Sequence, residues 1–397
     1  KPVFNSFTLR CMQVLLTTTR DWHLPHTARA FATRQSLAGL WMADKAPTGR
    51  AAHLYQRCWP YHLVMKPFYH LTSQIVSERA TYTMIGFWRR WLKRRLNSRP
   101  PRYDVAHAIM GFGSELFEHA DQCGALKVVD CPNSHPVTYY GFWQRECDLW
   151  CPGERVPIPQ WMFARMNREL ERADLIIVQS LFSRDSMVWN GIPAEKVFVN
   201  PMGVDVSVFT QRRNVPTRPR FVCVGTICLR KGHQYLFRAF ERVKAVLPEA
   251  ELVCVGKYKC DFRRERPKWE GKFTHHPQLS HQQIAELFQT ATAFVFPSQE
   301  EGIARAQIEA LASGVPVIGT YTAGTTTVVN DGVEGFVVSG RDPAQLAERM
   351  VQLAQNPDLN RQMGEAAYRR GNLNNSWQDY GDRLLAAYES RLATRQH

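Results

Sequence analysis

The sequence contains no stretch of 18 or more apolar residues, so nothing in it reads as a membrane-spanning helix. No Gly-x-Gly-x-x-Gly follows any of its apolar runs, which argues against a nicotinamide-dependent dehydrogenase. Its ten cysteines include one close pair, Cys147 and Cys151, and no second pair near enough to complete a structural zinc site. They read as free thiols of a reducing compartment. Short-period repeats and low-complexity tracts are also missing. With 44% hydrophobic residues, the 397-residue chain reads as globular and long enough for two domains. The opening residues, KPVFNSFTLRCMQVLLTTT, lack the apolar core of a secretory signal, and the expected location is the cytoplasm.

Positive charge, by contrast, is in excess: 50 Lys and Arg against 36 Asp and Glu, a formal net charge of +14. It is spread along the chain, 25 against 17 in residues 1–205 and 25 against 19 in the remainder, unlike a basic tail. Such an excess suits nucleic acid, an anionic membrane or phosphorylated substrates. No recognised nucleic-acid motif accompanies it, so nucleic acid is not expected as a partner.

Apolar runs alternate with helical patterns. In the first half they fall at 12–16, 104–110 (DVAHAIM), 126–130 (LKVVD), 174–179 (DLIIVQ) and 197–200. In the second they fall at 220–224 (RFVCV), 251–255 (ELVCV), 292–296, 315–318 and 335–338. Runs without strict alternation, separated by helices, predict parallel sheets covered on both faces, hence two doubly wound α/β domains. The polar, proline-interrupted stretch TQRRNVPTRP at 210–219 predicts the linker between a domain at 1–209 and another at 220–375. Two such domains form a cleft at the carboxyl ends of their strands.

Residues 297–319, PSQEEGIARAQIEALASGVPVIG, carry the sharpest signal. They predict a strand end, a loop with Gly302, and a helix over 303–312 stopped by Ser313 and Gly314. A helix start leaves backbone N–H groups unpaired and favours an anion such as a diphosphate. Glu301 falls just outside that start and Glu309 about two turns inside, roughly 12 Å along the axis. On spacing alone the two acids read equally as solvated surface charges. After the run RFVCV, the loop Gly225-Thr-Ile-Cys-Leu-Arg230-Lys231-Gly232 leads into a helix at 233–246, a charge-plus-dipole arrangement fit for a diphosphate or an ordinary basic loop.

The pattern Pro297, Ser298, Glu301, Gly302, Glu309, Ala310, Ala312, Gly314, Pro316, Val317 and Ile318 resembles the signature of the retaining glycosyltransferases of family 4. The resemblance covers most of residues 104–392. It implies the GT-B fold, two Rossmann-like domains facing across a cleft, with residues 376–397 forming a final helix that returns to the first domain. It also implies transfer of a sugar from a nucleoside diphosphate donor to an acceptor hydroxyl, with the anomeric configuration retained. In that reading Glu301, His135, Lys231 and Arg230 are catalytic, and Glu309, Gly302, Ile303, Ala304, Gly225, Lys257 and His107 contact substrate.

Arg230 and Lys231 would hold the donor phosphates, Glu301 the sugar hydroxyls, Glu309 the ribose, and His135 the transferred sugar. Thr226 stands where many members carry arginine, and Arg230 would supply that cation. Lys257 ends a strand where the family lines its base pocket. His107, within an apolar strand, reads first as a core side chain, and His135, after the run LKVVD, is the better cleft candidate. Asn200-Pro-Met-Gly203-Val-Asp205 matches the family's crossing between domains, with a geometric role.

The family's glycine-rich loop after the first strand is missing; residues 16–26 stand there, with Thr18 and His23 as candidates for the cleft. No Asp-x-Asp occurs anywhere, so neither a metal nor any other cofactor is expected and protein cations would serve instead. A non-catalytic sugar-nucleotide binder of the same fold is the alternative.

Residues 86–96, GFWRRWLKRRL, set Trp88, Trp91, Leu92 and Leu96 on one helical face and Arg89, Arg90, Lys93 and Arg94 largely opposite. Two readings stand: contact with an anionic membrane, suiting a lipid-linked glycan acceptor at the cytoplasmic membrane face, or a core helix with a wet basic face.

Overall fold

A computed structural model describes residues 11–19, 23–42, 49–58, 74–156, 158–212 and 214–395, without the side chains of residues 49–50 and 74–84 and of Cys260. Among them, seven strands form a first sheet: β1 Val14–Thr18, β2 Leu37–Met42, β3 Tyr55–Arg57, β4 Val105–Ile109, β5 Leu126–Cys131, β6 Leu175–Val178 and β7 Val197–Val199. Six form a second: β8 Arg220–Val224, β9 Glu251–Val255, β10 Thr274–His276, β11 Ala293–Phe296, β12 Val317–Thr320 and β13 Gly335–Val338. The strand orders are 3-2-1-4-5-6-7 and 10-9-8-11-12-13, and every pairing is parallel. Each order reverses once, between β1 and β4 and between β8 and β11, so each sheet offers a ligand crevice at the carboxyl ends there. The α/β class and its two doubly wound domains are as the sequence predicts.

The central strands are buried along most of their length because helices cover both faces, which is why they read as unbroken apolar runs. Three strands lack that signature. β10 is the polar edge strand Thr-His-His, β3 is an edge of three half-buried residues, and Gly39 interrupts β2. β1 and β12 each begin two residues later than predicted.

Six helices shape the site and its surroundings: α1 Leu24–Thr33, α2 Gln74–Ser98, α3 Pro136–Trp150, α4 His233–Val246, α5 Arg305–Ala312 and α6 Trp377–Thr394. The chain's last helix, α6, returns to the first domain, where Tyr380, Leu384, Leu385 and Tyr388 join a core with Ala28 and Phe31 of α1. Arg212, in the predicted linker, is not a solvated charge. It is buried, donating to the Ala291 carbonyl at 2.5 Å and to Asn360 Oδ1 at 2.7 Å.

α2 resolves the two readings of its apolar stripe. Ile85, Trp88, Leu92 and Leu96 are buried in the core of the first domain, and Trp91 stacks on Trp88 with ring centroids 5.3 Å apart. The aromatic face is therefore used internally. Over residues 85–96 the basic residues meet water, together with Phe87, which is exposed beside Arg90.

α3 crosses the boundary. It starts in the first domain, yet Trp143 and Cys147, with Cys151 just beyond its end, belong to the hydrophobic core of the second. Glu146, fully buried, accepts from Gln234 Nε2 and Tyr235 Oη, both at 2.8 Å, and pairs with Arg341 at 2.7 Å. The two domains thus share a packed seam alongside the cleft. Among the described residues no helix is long and apolar enough to cross a membrane.

Candidate functional site

The β8–α4 loop is pinned from below. Ile227 and Leu229 are fully buried, and Ile227 exchanges backbone hydrogen bonds with the strand-end loop of β9 (Ile227 N to Lys257 O, 2.9 Å; Lys259 N to Ile227 O, 2.8 Å). Gly232 then starts α4 at φ +73°, where a Cβ would stand 2.0 Å from the Pro297 carbonyl oxygen. Only glycine fits both constraints. The result brings Arg230 and Lys231 beside the loop that follows β11, where Gln299 N donates to the Arg230 carbonyl at 2.8 Å.

Charges converge there. Lys231 Nζ is 3.1 Å and Arg230 Nη1 3.5 Å from Glu301 Oε2, and Arg230 Nη1 also donates to Glu300 Oε2 at 2.8 Å. All four side chains are buried or nearly so, in surroundings where charges act strongly. Burial pushes the Glu301 carboxyl up, but Lys231 and Arg230 outweigh it and hold the group below its ordinary range. Burial likewise opposes the Arg230 cation, yet Tyr139, Glu301 and Glu300 push its pKa well up. The guanidinium lies 5.1 Å from the Tyr139 ring, so α3 of the other domain walls this cluster.

Gly302 brings the domains into contact. A Cβ on it would stand 2.1 Å from the Pro132 carbonyl oxygen and 3.1 Å from Gln179 Oε1, both in the first domain. Close backbone approach across the seam is what this glycine permits. Ile303 and Ala304 are buried, Ala304 is still extended, and the helix begins at Arg305, two residues later than predicted. No side chain caps α5 and its first turn holds no acid, so its leading N–H groups are available to an anion.

That late start corrects the depth of Glu309. It lies one turn inside α5 rather than two, about 6 Å at 1.5 Å per residue. It is nearly buried and pairs with Arg305 Nε at 3.0 Å, so it is not a solvated charge either. Burial raises its pKa, opposed by Arg305 and His281. Gly225 is close, its added Cβ falling 3.4 Å from Lys231 Nζ, whereas the Lys257 side chain is exposed and its carbonyl supports the β8–α4 loop.

The first domain departs more from expectation. His107 does not reach the cleft: fully buried on β4, it lies 3.3 Å from Asp130 Oδ2 through Nε2 and 2.7 Å from Tyr388 Oη of α6 through Nδ1. The alternative reading, a core histidine, is the observed one. His23 is buried too, with Nε2 2.6 Å from Asp130 Oδ2. Thr18 is buried at the end of β1, and residues 20–22 of that loop lie outside the described residues. Burial would raise the Asp130 carboxyl, but hydrogen bonds and charge from His23 and His107 hold it far below its usual range. Gln179 Nε2 adds a third donor at 2.9 Å.

His135 is at the carboxyl end of β5 as predicted, but its Nδ1 is spent as the N-cap of α3, accepting from Val137 N at 3.3 Å. Its backbone N–H donates to Ser186 Oγ at 2.9 Å, and burial lowers its pKa to about 4, so the ring is neutral near pH 7. Sequence reasoning overlooked Asp130, Ser134, Tyr139 and Glu300. Glu300 had a signal, since it adjoins Glu301 in the motif; the others come together only through the topology.

Residues 208–370 match the family of glycosyl transferases group 1. The chain is 29% identical over 211 residues to a GDP-mannose-dependent monoacylated alpha-(1-6)-phosphatidylinositol monomannoside mannosyltransferase of Corynebacterium glutamicum, a match covering 48% of this chain and about half, 55%, of that relative. It is 27% identical to an MMP alpha-(1->4)-mannosyltransferase of Mycolicibacterium hassiacum, over 76% of this chain and 74% of that one. Among solved structures, sucrose-phosphate synthase of Thermosynechococcus elongatus superposes with a TM-score of 0.75 at 17% identity, covering 96% of this chain and all of that one. HepE of Anabaena, in complex with UDP and glucose, superposes at 0.67 with 14% identity and coverage of 96% and 100%. Similarity at that level establishes the shared GT-B architecture.

Proposed function

We propose, taking residues 208–370 as the group 1 glycosyl transferase domain they match, that this protein transfers a sugar from a nucleoside diphosphate donor to an acceptor hydroxyl with retention of configuration. The observation that carries the reading is the convergence of Arg230, Lys231 and Glu301 beside the uncapped start of α5 at the domain seam. In this assignment the two cations and the α5 N–H groups take the diphosphate and stabilise the charge that builds on it as the glycosidic bond breaks. Glu301, kept ionised by those cations, accepts hydrogen bonds from the donor sugar, and Glu309 from the ribose. Neither needs to transfer a proton.

Uridine and guanosine donors are the first to test, since a relative is named for GDP-mannose and a structural neighbour holds UDP. The test is a panel of UDP-glucose, UDP-N-acetylglucosamine and GDP-mannose, scored for nucleoside diphosphate release with soluble and lipid-linked glycan acceptors. Release with at least one donor is expected, undiminished by EDTA, with an axial product anomer from an axial donor. Donor binding without release or transfer would favour the non-catalytic alternative; neither binding nor release would sink both.

A lipid-linked acceptor is the favoured class because of the surface of α2. Arg90, Lys93, Arg94 and Arg95 are exposed with no ion pair among the described residues, while the aromatic stripe behind them is buried. Contact with an anionic bilayer would therefore be chiefly electrostatic and peripheral, with Phe87, exposed beside Arg90, as an aromatic contact and the buried tryptophan stripe not inserting. Vesicles of phosphatidylcholine with 30% phosphatidylglycerol should retain the protein at low ionic strength and release it by about 0.5 M salt, where the screening length drops to a few Å. Retention that survives salt would indicate insertion instead.

A further inference from the structure

Glu300 is not among the motif residues, yet it is fully buried at the seam and touches both domains. Oε1 accepts from the backbone N–H of Ser134 at 3.0 Å and from its hydroxyl at 2.7 Å. Oε2 accepts from Arg230 Nη1 at 2.8 Å, and the same nitrogen donates to the Glu300 carbonyl. That carbonyl also accepts from Ser298 Oγ at 2.9 Å. A carboxylate removed from water this completely is costly unless it is well paired, and here three donors, one of them the Arg230 cation, serve it. Burial still pushes its pKa above the ordinary value, with Glu301 adding to the push and Arg230 and Ser134 opposing it.

The arrangement is more than is needed to hold Arg230. Glu301 already stands 3.5 Å from that guanidinium, so a second, buried acid adds desolvation cost without adding charge the diphosphate can use. What Glu300 adds is a hydrogen-bonded connection. Its two oxygens face different domains, one the loop that runs from β5 to His135, the other the cation that faces the donor. Gly302, two residues on, lies against Pro132 of that same loop.

We propose that Glu300 is a positioning residue that sets Arg230 and the 132–135 loop from one carboxylate, so that the donor-side cation is aligned only while the two domains are joined through Ser134. The proposal rests on the assignment of Arg230, Lys231 and Glu301 to the donor site. It makes Glu300 a link through which closure of the cleft and alignment of the diphosphate clamp occur together.

The test is a double-mutant cycle on the full chain with Ser134→Ala and Glu300→Gln, measuring donor KM and kcat separately and the affinity for UDP and GDP by calorimetry. Glu300→Gln retains an acceptor for Ser134 but turns an amide toward the guanidinium, and should raise donor KM about 10- to 100-fold with a smaller change in kcat. Ser134→Ala should raise donor KM several-fold alone and add nothing in the Glu300→Gln background. Glu300→Asp, which keeps the charge, should recover part of the loss. Unchanged donor KM in both single variants, or effects that simply add, overturns the proposal while leaving the donor site standing. A wild-type protein that binds neither UDP nor GDP overturns the donor-site assignment and the proposal with it. If Glu300→Gln fails to fold, Ser134→Ala decides, and a donor KM equal to wild type in that variant overturns the proposal.

Discussion

Glu301 is ion-paired with Arg230 and Lys231, and in the proposed function a donor must enter that arrangement. With no donor the acid answers both cations; a diphosphate bound there brings more negative charge to them than one carboxylate does, leaving Glu301 free to accept from sugar hydroxyls. Glu301→Gln keeps the shape and removes the ionised acceptor, and should cost about 100-fold in kcat/KM. Lys231→Ala should cost about 10²- to 10³-fold, falling on kcat, because the cation acts on charge that develops as the bond breaks. Full turnover by either variant in a nucleotide-release assay would remove that residue from the mechanism. The convergence of Arg230, Lys231 and Glu301, the proposed donor half, was legible because these residues lie in two contiguous stretches, 225–233 and 297–319, where spacing alone carries geometry. Asp130, His23 and Gln179 come from three separate segments and meet only after β1, β4, β5 and β6 are laid side by side. No local pattern announces such a cluster. Nor does sequence distinguish adjacent acids: Glu300 and Glu301 differ in which way the extended chain turns each side chain.

At the scale of elements, helix ends decide most of the site. α4 starts at a left-handed glycine pressed against Pro297. Gly232→Ala must strain the backbone or push the motif loop away, costing about 1–3 kcal/mol, and thermal melts should show it together with weakened UDP or GDP binding. α5 begins late because Gly302 is pressed against Pro132 and Ala304 stays extended, a tertiary constraint that helix propensity does not record. α3 begins at His135, whose folded pKa of about 4 lies below its ordinary 6.5. Above pH 6.5 the ring is neutral in both folded and unfolded chains. As the pH falls from about 6.5 toward 4, the unfolded chain takes up a proton that the folded one refuses, so stability declines across that window. His26, lowered to about 4 by burial and then by Arg29 and Arg305, acts in the same direction. The depressed Asp130 contributes stability above its unfolded pKa that is lost only at still lower pH. His135→Asn preserves an N-cap and removes the titrating ring. Its melting temperature should fall less between pH 7 and pH 5 than that of the wild type, and an equal fall would assign the decline to other groups.

On the scale of the whole molecule, the two sheets were predictable and their junction was not. Parallel strands announce themselves as apolar runs, but nothing in the pattern of 136–150 says that this helix belongs to one domain by connectivity and to the other by packing. The seam it makes includes Trp143 against Asp261, Trp150 against Tyr235, and Glu146 with Arg341, whose backbone lies at φ +62°, uncommon for a residue with a side chain. A donor the size of a nucleotide sugar enters or leaves such a cleft most readily when this seam loosens. Cys147 and Cys151 lie within it, buried, and their thiols are pushed up by that burial, Cys151 to about 11. They are therefore poor nucleophiles while the seam is shut. The two sulfurs amount to a clock wired into the hinge: the rate at which a maleimide consumes them counts how often the halves part, and saturating UDP or GDP should slow it. Labelling as fast with nucleotide as without would mean that the domains come and go without regard to what lies between them.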